Sequence, residues 1–187
     1  MIRAVLVLVC AGCGAVATPP GAERMGTYLI QATPTLRACG LASVGFSELS
    51  LEVTFSRTPD SATAWMTFPL ATRDATWNGQ RIISTASAPR AFAECAACGM
   101  ALDETIDVAV LSASQSEAAG EVCPEDGSVP EVNPDLGVLA PAPNTYGYDG
   151  VRACGTLVTS TRVVNGEGCP SECNACVLWY RLTGVRR

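Results

Sequence analysis

Two residue types are missing from this 187-residue chain, because it contains no histidine and no lysine, and all twelve of its cationic side chains are arginine. Without histidine, the chain cannot build a Ser-His-Asp or Cys-His nucleophile system or an H-E-x-x-H zinc site. Without lysine, it cannot form a Walker phosphate loop, a Schiff base or a Ser-x-x-Lys acylating centre. Carboxylate or dithiol chemistry remains, and we predict no catalytic residue, no metal ligand and no cofactor.

Positive charge is also scarce in this sequence. Eighteen acidic residues against twelve arginines give a formal net charge of −6. An acidic chain is repelled by the phosphate backbone of nucleic acids and by anionic lipid. We therefore expect no nucleic-acid partner and no electrostatic docking to an anionic membrane.

The only sustained apolar run is short and stands at the start of the chain. Arg3 is followed by the apolar residues 4–10 and then by small residues, which is the layout of a secretory signal peptide. The run is far shorter than the ~20 apolar residues that a membrane-spanning helix needs. No later segment reaches that length, so we expect the rest of the chain not to span a membrane.

The apolar run ends in Cys10-Ala11-Gly12-Cys13, which resembles the lipobox of bacterial lipoproteins, where small residues precede the cysteine that receives the lipid. The resemblance implies that residues 1–12 are a signal peptide and that Cys13 is lipidated. The residues that follow are small, polar and proline-containing, so we expect residues 13–24 to tether the domain to a membrane of the cell envelope. Acyl chains hold a bilayer through ~0.8 kcal/mol per buried CH₂ group. The alternative is an ordinary signal peptide cleaved near Ala15 or Ala17, which would release a secreted protein.

Residues 25–187 are predicted to form a single β-domain. The clearest strand is 48–56, where odd-numbered residues from 49 to 55 are apolar and their neighbours are polar. The other predicted strands are rich in Val, Ile, Thr or aromatic residues and are bounded by turn formers; they are 27–32, 63–68, 81–86, 105–112, 155–164 and 176–183. About seven strands predict an antiparallel sandwich or a small barrel, and the sequence does not choose between them.

Helix signals are few. Residues 91–101 are rich in alanine, and Ser114-Gln115-Ser116-Glu117 could cap one short helical turn. Residues 123–150 contain five prolines and four glycines without periodicity. Such a segment is typical of a long surface loop, and we expect it to be partly disordered.

The cysteines are numerous but amount to only about 5% of the chain, below the ~8–10% of scaffolds that lack a core. With Cys10 removed and Cys13 acylated, eight remain, and an exported chain favours four disulfides among them. These eight are Cys39, Cys95, Cys98, Cys123, Cys154, Cys169, Cys173 and Cys176. We expect at least one bridge between the Cys95/Cys98 pair and the cluster at 169–176.

The two CxxC pairs, Cys95/Cys98 and Cys173/Cys176, leave two sharper interpretations open. Four thiolates could bind zinc, but 74 residues separate the pairs, whereas zinc ribbons have ~15–20 between them. A thioredoxin-like redox site needs one CxxC at a helix N-terminus after a strand. The second pair instead leads directly into a predicted strand, and no βαβ pattern surrounds the first.

Other candidate sites are acidic or aromatic. Asp103, Glu104 and Asp107, and separately Glu125 and Asp126, could perform glycosidic acid–base work or hold calcium, although such residues are mostly solvated surface. The rings of the Tyr146-Gly147-Tyr148 segment could stack on a ligand, although ordinary packing is the simpler interpretation. We expect the remaining large rings to fill the core or cap strand ends; they are Trp65, Trp77, Trp179 and Tyr180.

Taken together, these features predict an exported, membrane-anchored β-domain with a binding or structural role toward a protein or small ligand outside the cytoplasm. A thiol–disulfide oxidoreductase that uses a CxxC pair is one alternative. The other is a lipocalin-like carrier, which would show a ligand-sized apolar cavity inside a closed barrel.

Overall fold

A computed structural model describes residues 18–41, 44–144, 147–166, 168–174 and 176–187. The predicted signal peptide, the predicted lipidation site Cys13 and Tyr146 lie outside the described residues. Among the residues that are described, no helix is both long and apolar enough to cross a lipid bilayer.

Eight antiparallel strands close into one barrel, in the order β1-β10-β9-β6-β5-β4-β3-β2. Closure occurs where β1 pairs with β10 on one side and with β2 on the other. The prediction of an all-β fold is confirmed, and the barrel is the correct one of the two architectures. The barrel strands are β1 (Glu23–Ala38), β2 (Leu49–Arg57), β3 (Thr63–Phe68), β4 (Ala71–Trp77), β5 (Arg81–Pro89), β6 (Gly99–Leu111), β9 (Arg152–Asn165) and β10 (Val177–Arg186).

The smaller elements lie in the connections. A helix, α1 (Ala113–Ala119), follows β6, and a two-residue hairpin pairs β7 (Pro143–Asn144) with β8 (Gly147–Tyr148). Short 3₁₀ turns cover Ala93–Cys95, Pro134–Leu136 and Ser171–Asn174. Helix α1 begins earlier than expected, because its N-cap is Ser112, whose side chain forms a capping box with Gln115.

Seven of the barrel strands coincide with predicted ones, and two local expectations are corrected. Strand β4 was not predicted, and the alanine-rich residues 91–101 contain only a 3₁₀ turn before β6 begins at Gly99. Alanine has the highest intrinsic helix propensity, but propensity is a weak determinant of structure, and tertiary context overrides it here. The cysteines at both ends of the Cys95–Cys98 segment are bridged to the connection between β9 and β10, and Gly99 enters the sheet at once.

Alternation along the strands fills the barrel with apolar side chains. Tyr28, Phe55, Met66 and Ile82 are all fully buried there. A cavity inside the barrel, lined by residues of β1, β2, β3, β6, β9 and β10, has a volume of only about 10 Å³, which is on the order of the space for one water molecule. This cavity therefore has no room for a larger ligand.

The two ends of the barrel are closed differently. At the stapled end, where β1, β5 and β9 finish, three disulfides join the connecting loops around a small apolar cluster that contains Leu41 and Phe92. At the other end, Tyr148 and Met25 are buried, and residues 120–151 return from α1 to β9. The four disulfides are Cys39–Cys176, Cys95–Cys173, Cys98–Cys169 and Cys123–Cys154.

The large aromatic residues divide between the two faces of the sheet. Tyr180 is buried and Trp77 packs against the core, as expected. Trp179 is instead 39% exposed, and Trp65 lies half-buried on the outer face. Trp179 faces outward because side chains alternate strictly along β10, where its neighbours Leu178 and Tyr180 point inward.

Candidate functional site

The three carboxylates of β6 do not converge on one site. Asp103 and Asp107 point out of the barrel, where they pair with Arg162 at 2.7 Å and Arg81 at 2.6 Å. Glu104 lies between them on the inward face. Hydrogen bonds with Ser87 and then Arg162 hold the pKa of Asp103 below its usual value. Acid–base catalysis by two carboxylates needs both on the same side of a substrate, and β6 separates them.

Glu104 forms an ion pair on the inward face of the barrel. Its Oε2 lies 2.7 Å from Nη2 of Arg73, and the two side chains are 12% and 16% exposed. The guanidinium of Arg73 also lies 5.5 Å from the Phe68 ring centroid, within the range of a cation–π contact. Strands β4 and β5 pair through only two residue pairs, so this ion pair bridges β4 to β6 where the wall of the barrel lacks ladder hydrogen bonds.

The cysteines of each CxxC motif are bonded to different partners. Cys95 and Cys98 bridge to Cys173 and Cys169, and Cys176 bridges to Cys39. A redox dithiol needs both cysteines of one motif bonded to each other, and a zinc site needs free thiolates. Neither arrangement is present, and within the described part of the chain no group of three or more candidate ligands could hold a metal ion.

The connection between α1 and β9 forms the most distinctive surface of the molecule. We call residues 120–150 the acidic loop, because they contain six carboxylates and no arginine. The loop thus carries a formal charge of −6, which equals the net charge of the whole chain. In the loop, Glu125 reaches Arg181 at 3.7 Å and Asp126 accepts the backbone N–H of Ser128.

The first part of the acidic loop is fixed to the outside of the barrel. The Cys123–Cys154 disulfide joins it to β9, and Arg81 donates from Nη1 to the carbonyl of Gly127 at 2.6 Å. A Cβ on Gly127 would lie 3.0 Å from the Thr156 side chain, and the residue has a positive φ of 69°. Glycine is required there because the loop backbone lies directly on the sheet.

The last part of the acidic loop closes the end of the barrel. Arg186 donates to the carbonyls of Gly150, at 2.9 Å, and Tyr148. The buried hydroxyl of Tyr28 donates to the same Gly150 carbonyl at 3.3 Å, and burial raises the pKa of Tyr28 to about 12. The Tyr148 ring is 4% exposed and lies under Arg57 at 5.2 Å, so it packs as the simpler interpretation of the sequence expected.

Between these attachments, residues 131–139 form a compact turn that we call the tip. Asn133 and Val138 exchange two backbone hydrogen bonds of 2.7 and 2.9 Å. The Asn133 side chain accepts the N–H of Asp135 at 3.0 Å, and Gly137 ends the 3₁₀ turn with a φ of 71°. At the base, the Leu139 backbone donates to Ser114 Oγ at 3.1 Å and accepts from the Ser112 hydroxyl.

The expectation of a long surface loop at 123–150 is therefore refined, because its described residues fold against the barrel and α1. A local signal for the tip was present in Asn-Pro-Asp-Leu-Gly at 133–137, which combines a capping asparagine, an N-terminal proline and a terminal glycine.

No protein-family model, no curated protein and no solved structure matches this chain.

Proposed function

We propose that this chain is a binding module that is exported, anchored to a bacterial membrane through Cys13, and presents the acidic loop to a partner outside the cytoplasm. Four disulfides indicate an oxidising compartment outside the cytoplasm. The lipobox-like residues 10–13 support the anchor. The observation that carries the binding role is the attachment of the acidic loop, whose described backbone is hydrogen-bonded to the barrel or α1 at Gly127, Leu139 and Gly150.

A fixed loop favours binding because a partner does not have to order it. Ordering a mobile loop lowers affinity by the lost conformational entropy, and a preorganised surface avoids that cost. Loops longer than ~12–15 residues are uncommon in compact domains unless they have a function. The barrel, filled with side chains and cross-linked at both ends, supplies the rigid support.

The anchor is tested by labelling cells that produce the full chain with radioactive palmitate. We expect the Cys10→Ser variant to keep the label and Cys13→Ser to lose it, because only Cys13 directly follows the small residues. Label that persists in Cys13→Ser contradicts anchoring at this residue. A chain without label that appears in the medium supports the secreted alternative.

The binding role is tested with a carbodiimide, which couples carboxylates to amines. The chain has no lysine, so apart from its own amino terminus it supplies no amine, and two copies cannot be joined through side chains. In intact cells, we expect one discrete adduct in which a carboxylate of this chain is coupled to a lysine of another protein. If no discrete adduct forms above the background of non-producing cells, the binding role is wrong.

A further inference from the structure

The tip of the acidic loop exposes an unusual concentration of large apolar side chains. Val132, Leu136 and Leu139 are 46%, 75% and 51% exposed. The Asn133–Val138 bridge is antiparallel, so its register places Val132 opposite Leu139 and leaves Leu136 at the apex between them. Single exposed apolar residues need no explanation, but three within eight residues of a fixed turn form a patch typical of interaction sites.

The tip keeps this patch in place through its own hydrogen bonds. Asn133 makes two kinds of contact in the turn. Its backbone exchanges two hydrogen bonds with Val138, and its side chain accepts the backbone N–H of Asp135. Ser112 and Ser114 of the α1 N-terminus hold the base at Leu139. Leu136 is thus presented without a structural role in the core, since it contributes nothing to the buried clusters.

Charge defines the chemistry of the partner. Glu131 and Asp135 flank the apolar patch, both are exposed, and neither takes part in any of the ion pairs found between described residues. The surrounding acidic loop contains no arginine to neutralise them. A complementary surface must combine an apolar pocket with basic residues at its rim.

This requirement argues against two other occupants. An anionic lipid surface is repelled by the loop's charge of −6. A second copy of the chain has less basic surface to offer, because six of the eleven described arginines are already ion-paired with carboxylates of their own chain. We therefore propose, building on the function proposed above, that the tip docks into an apolar, lysine-rimmed pocket of another extracytoplasmic protein, with Leu136 as the inserted side chain.

The test combines the carbodiimide adduct with two matched leucine variants of the full chain. We expect peptide mapping to place the coupled carboxylate at Glu131 or Asp135. Leu136→Ala should lower the yield of the adduct about tenfold or more, because burying a leucine in a pocket contributes at least that factor to affinity. Leu70→Ala is the control, because Leu70 is 71% exposed, lies in the turn between β3 and β4, and should leave the yield unchanged.

The outcomes separate this inference from the proposed function. A protein adduct that maps to carboxylates outside the tip and survives Leu136→Ala keeps the binding role and overturns the tip as its site. An adduct with an aminophospholipid overturns the protein partner in favour of the membrane surface. The absence of any discrete adduct overturns both proposals. An unchanged disulfide map and circular dichroism spectrum of Leu136→Ala exclude misfolding as the cause of a lost adduct.

Discussion

The ion pair inside the barrel yields a prediction about stability that can be worked out from its geometry. At the 2.7 Å separation of Arg73 and Glu104, the gross Coulomb attraction is about 6 kcal/mol at an effective dielectric constant of ~20. Desolvation of both groups offsets most of it, so the pair as a whole contributes little net stability. Removing one partner is different, because the other charge then stays inside the barrel without compensation.

We predict that Arg73→Met lowers the free energy of unfolding by about 3 kcal/mol, which is the lower end of the range for a broken buried pair. The lower end applies because Glu104 is 12% exposed and water reaches it in part. The double variant Arg73→Met/Glu104→Met should cost less than 1 kcal/mol, since it leaves no unpaired charge. The coupling energy from this double-mutant cycle should therefore be about 2 kcal/mol or more.

The assay is urea unfolding with the disulfides intact, followed by circular dichroism. Arg162→Met is the matched control, because Arg162 forms a 2.7 Å pair with Asp103 on the outer face and is 54% exposed. An exposed pair of that kind contributes about 0–1 kcal/mol. If Arg73→Met is no more destabilising than Arg162→Met, or if the double variant is as unstable as the sum of the single variants, the reasoning is refuted.

Three further predictions concern the loop and the barrel wall. The Cys123–Cys154 disulfide links residues that are 31 apart in sequence. Replacing both cysteines by serine should lower the free energy of unfolding in urea by about 4 kcal/mol in the chain-entropy model. A loss below about 1 kcal/mol contradicts that model here. Because burial raises the pKa of Tyr28 from 10.0 to about 12, its stabilising contribution is complete below pH 10 and is lost as the pH rises through 12. The melting temperature of the unaltered chain should therefore fall between pH 10 and pH 12. If the Tyr28→Phe variant shows the same fall, ionisation of Tyr28 is not its cause. Gly155→Ala should lower the free energy of unfolding by about 1–3 kcal/mol through overpacking, because the added Cβ would lie 2.1 Å from the Asp107 carbonyl oxygen. An unchanged melting temperature would contradict this close contact.

Alternation predicted the barrel strands well because most of them bury one clean face. Strand β2 is the clearest example, with Val53 and Phe55 buried and polar residues between them. Strand β4 was not predicted, because its inward positions include the small Ala71 and the charged Arg73, so large apolar residues do not alternate with polar ones along it. The choice of a barrel depends on the β1–β10 pairing, a contact between distant segments that no local pattern encodes.

Less of the acidic loop could be predicted from the sequence, although the turn at its tip could. The turn residues 133–137 follow known local preferences, so the tip could have been predicted as a defined turn. The attachment of the acidic loop to the barrel could not be predicted, because Arg81, Arg152 and Arg186 bind backbone carbonyls more than 30 residues away in sequence. A backbone carbonyl is present at every residue, so the partner of such an arginine leaves no signature. The complete disulfide pairing was equally open, since eight cysteines allow 105 connectivities. The expected bridge between the Cys95/Cys98 pair and the cluster at 169–176 is nevertheless confirmed by Cys95–Cys173 and Cys98–Cys169.

The closure of the barrel between β1 and β10 also determines when the protein can fold. In a chain exported from its amino terminus, as proposed here, β1 crosses the membrane first and its partner β10 crosses last. Until then, one edge of β1 remains unpaired and open to other strands. Cys39 must likewise wait for Cys176, which follows it by 137 residues. A chain that stopped before Cys169 would lack β10 and would also leave Cys39, Cys95 and Cys98 without their partners. The stapled end can therefore lock only after the last part of the exported chain has crossed the membrane.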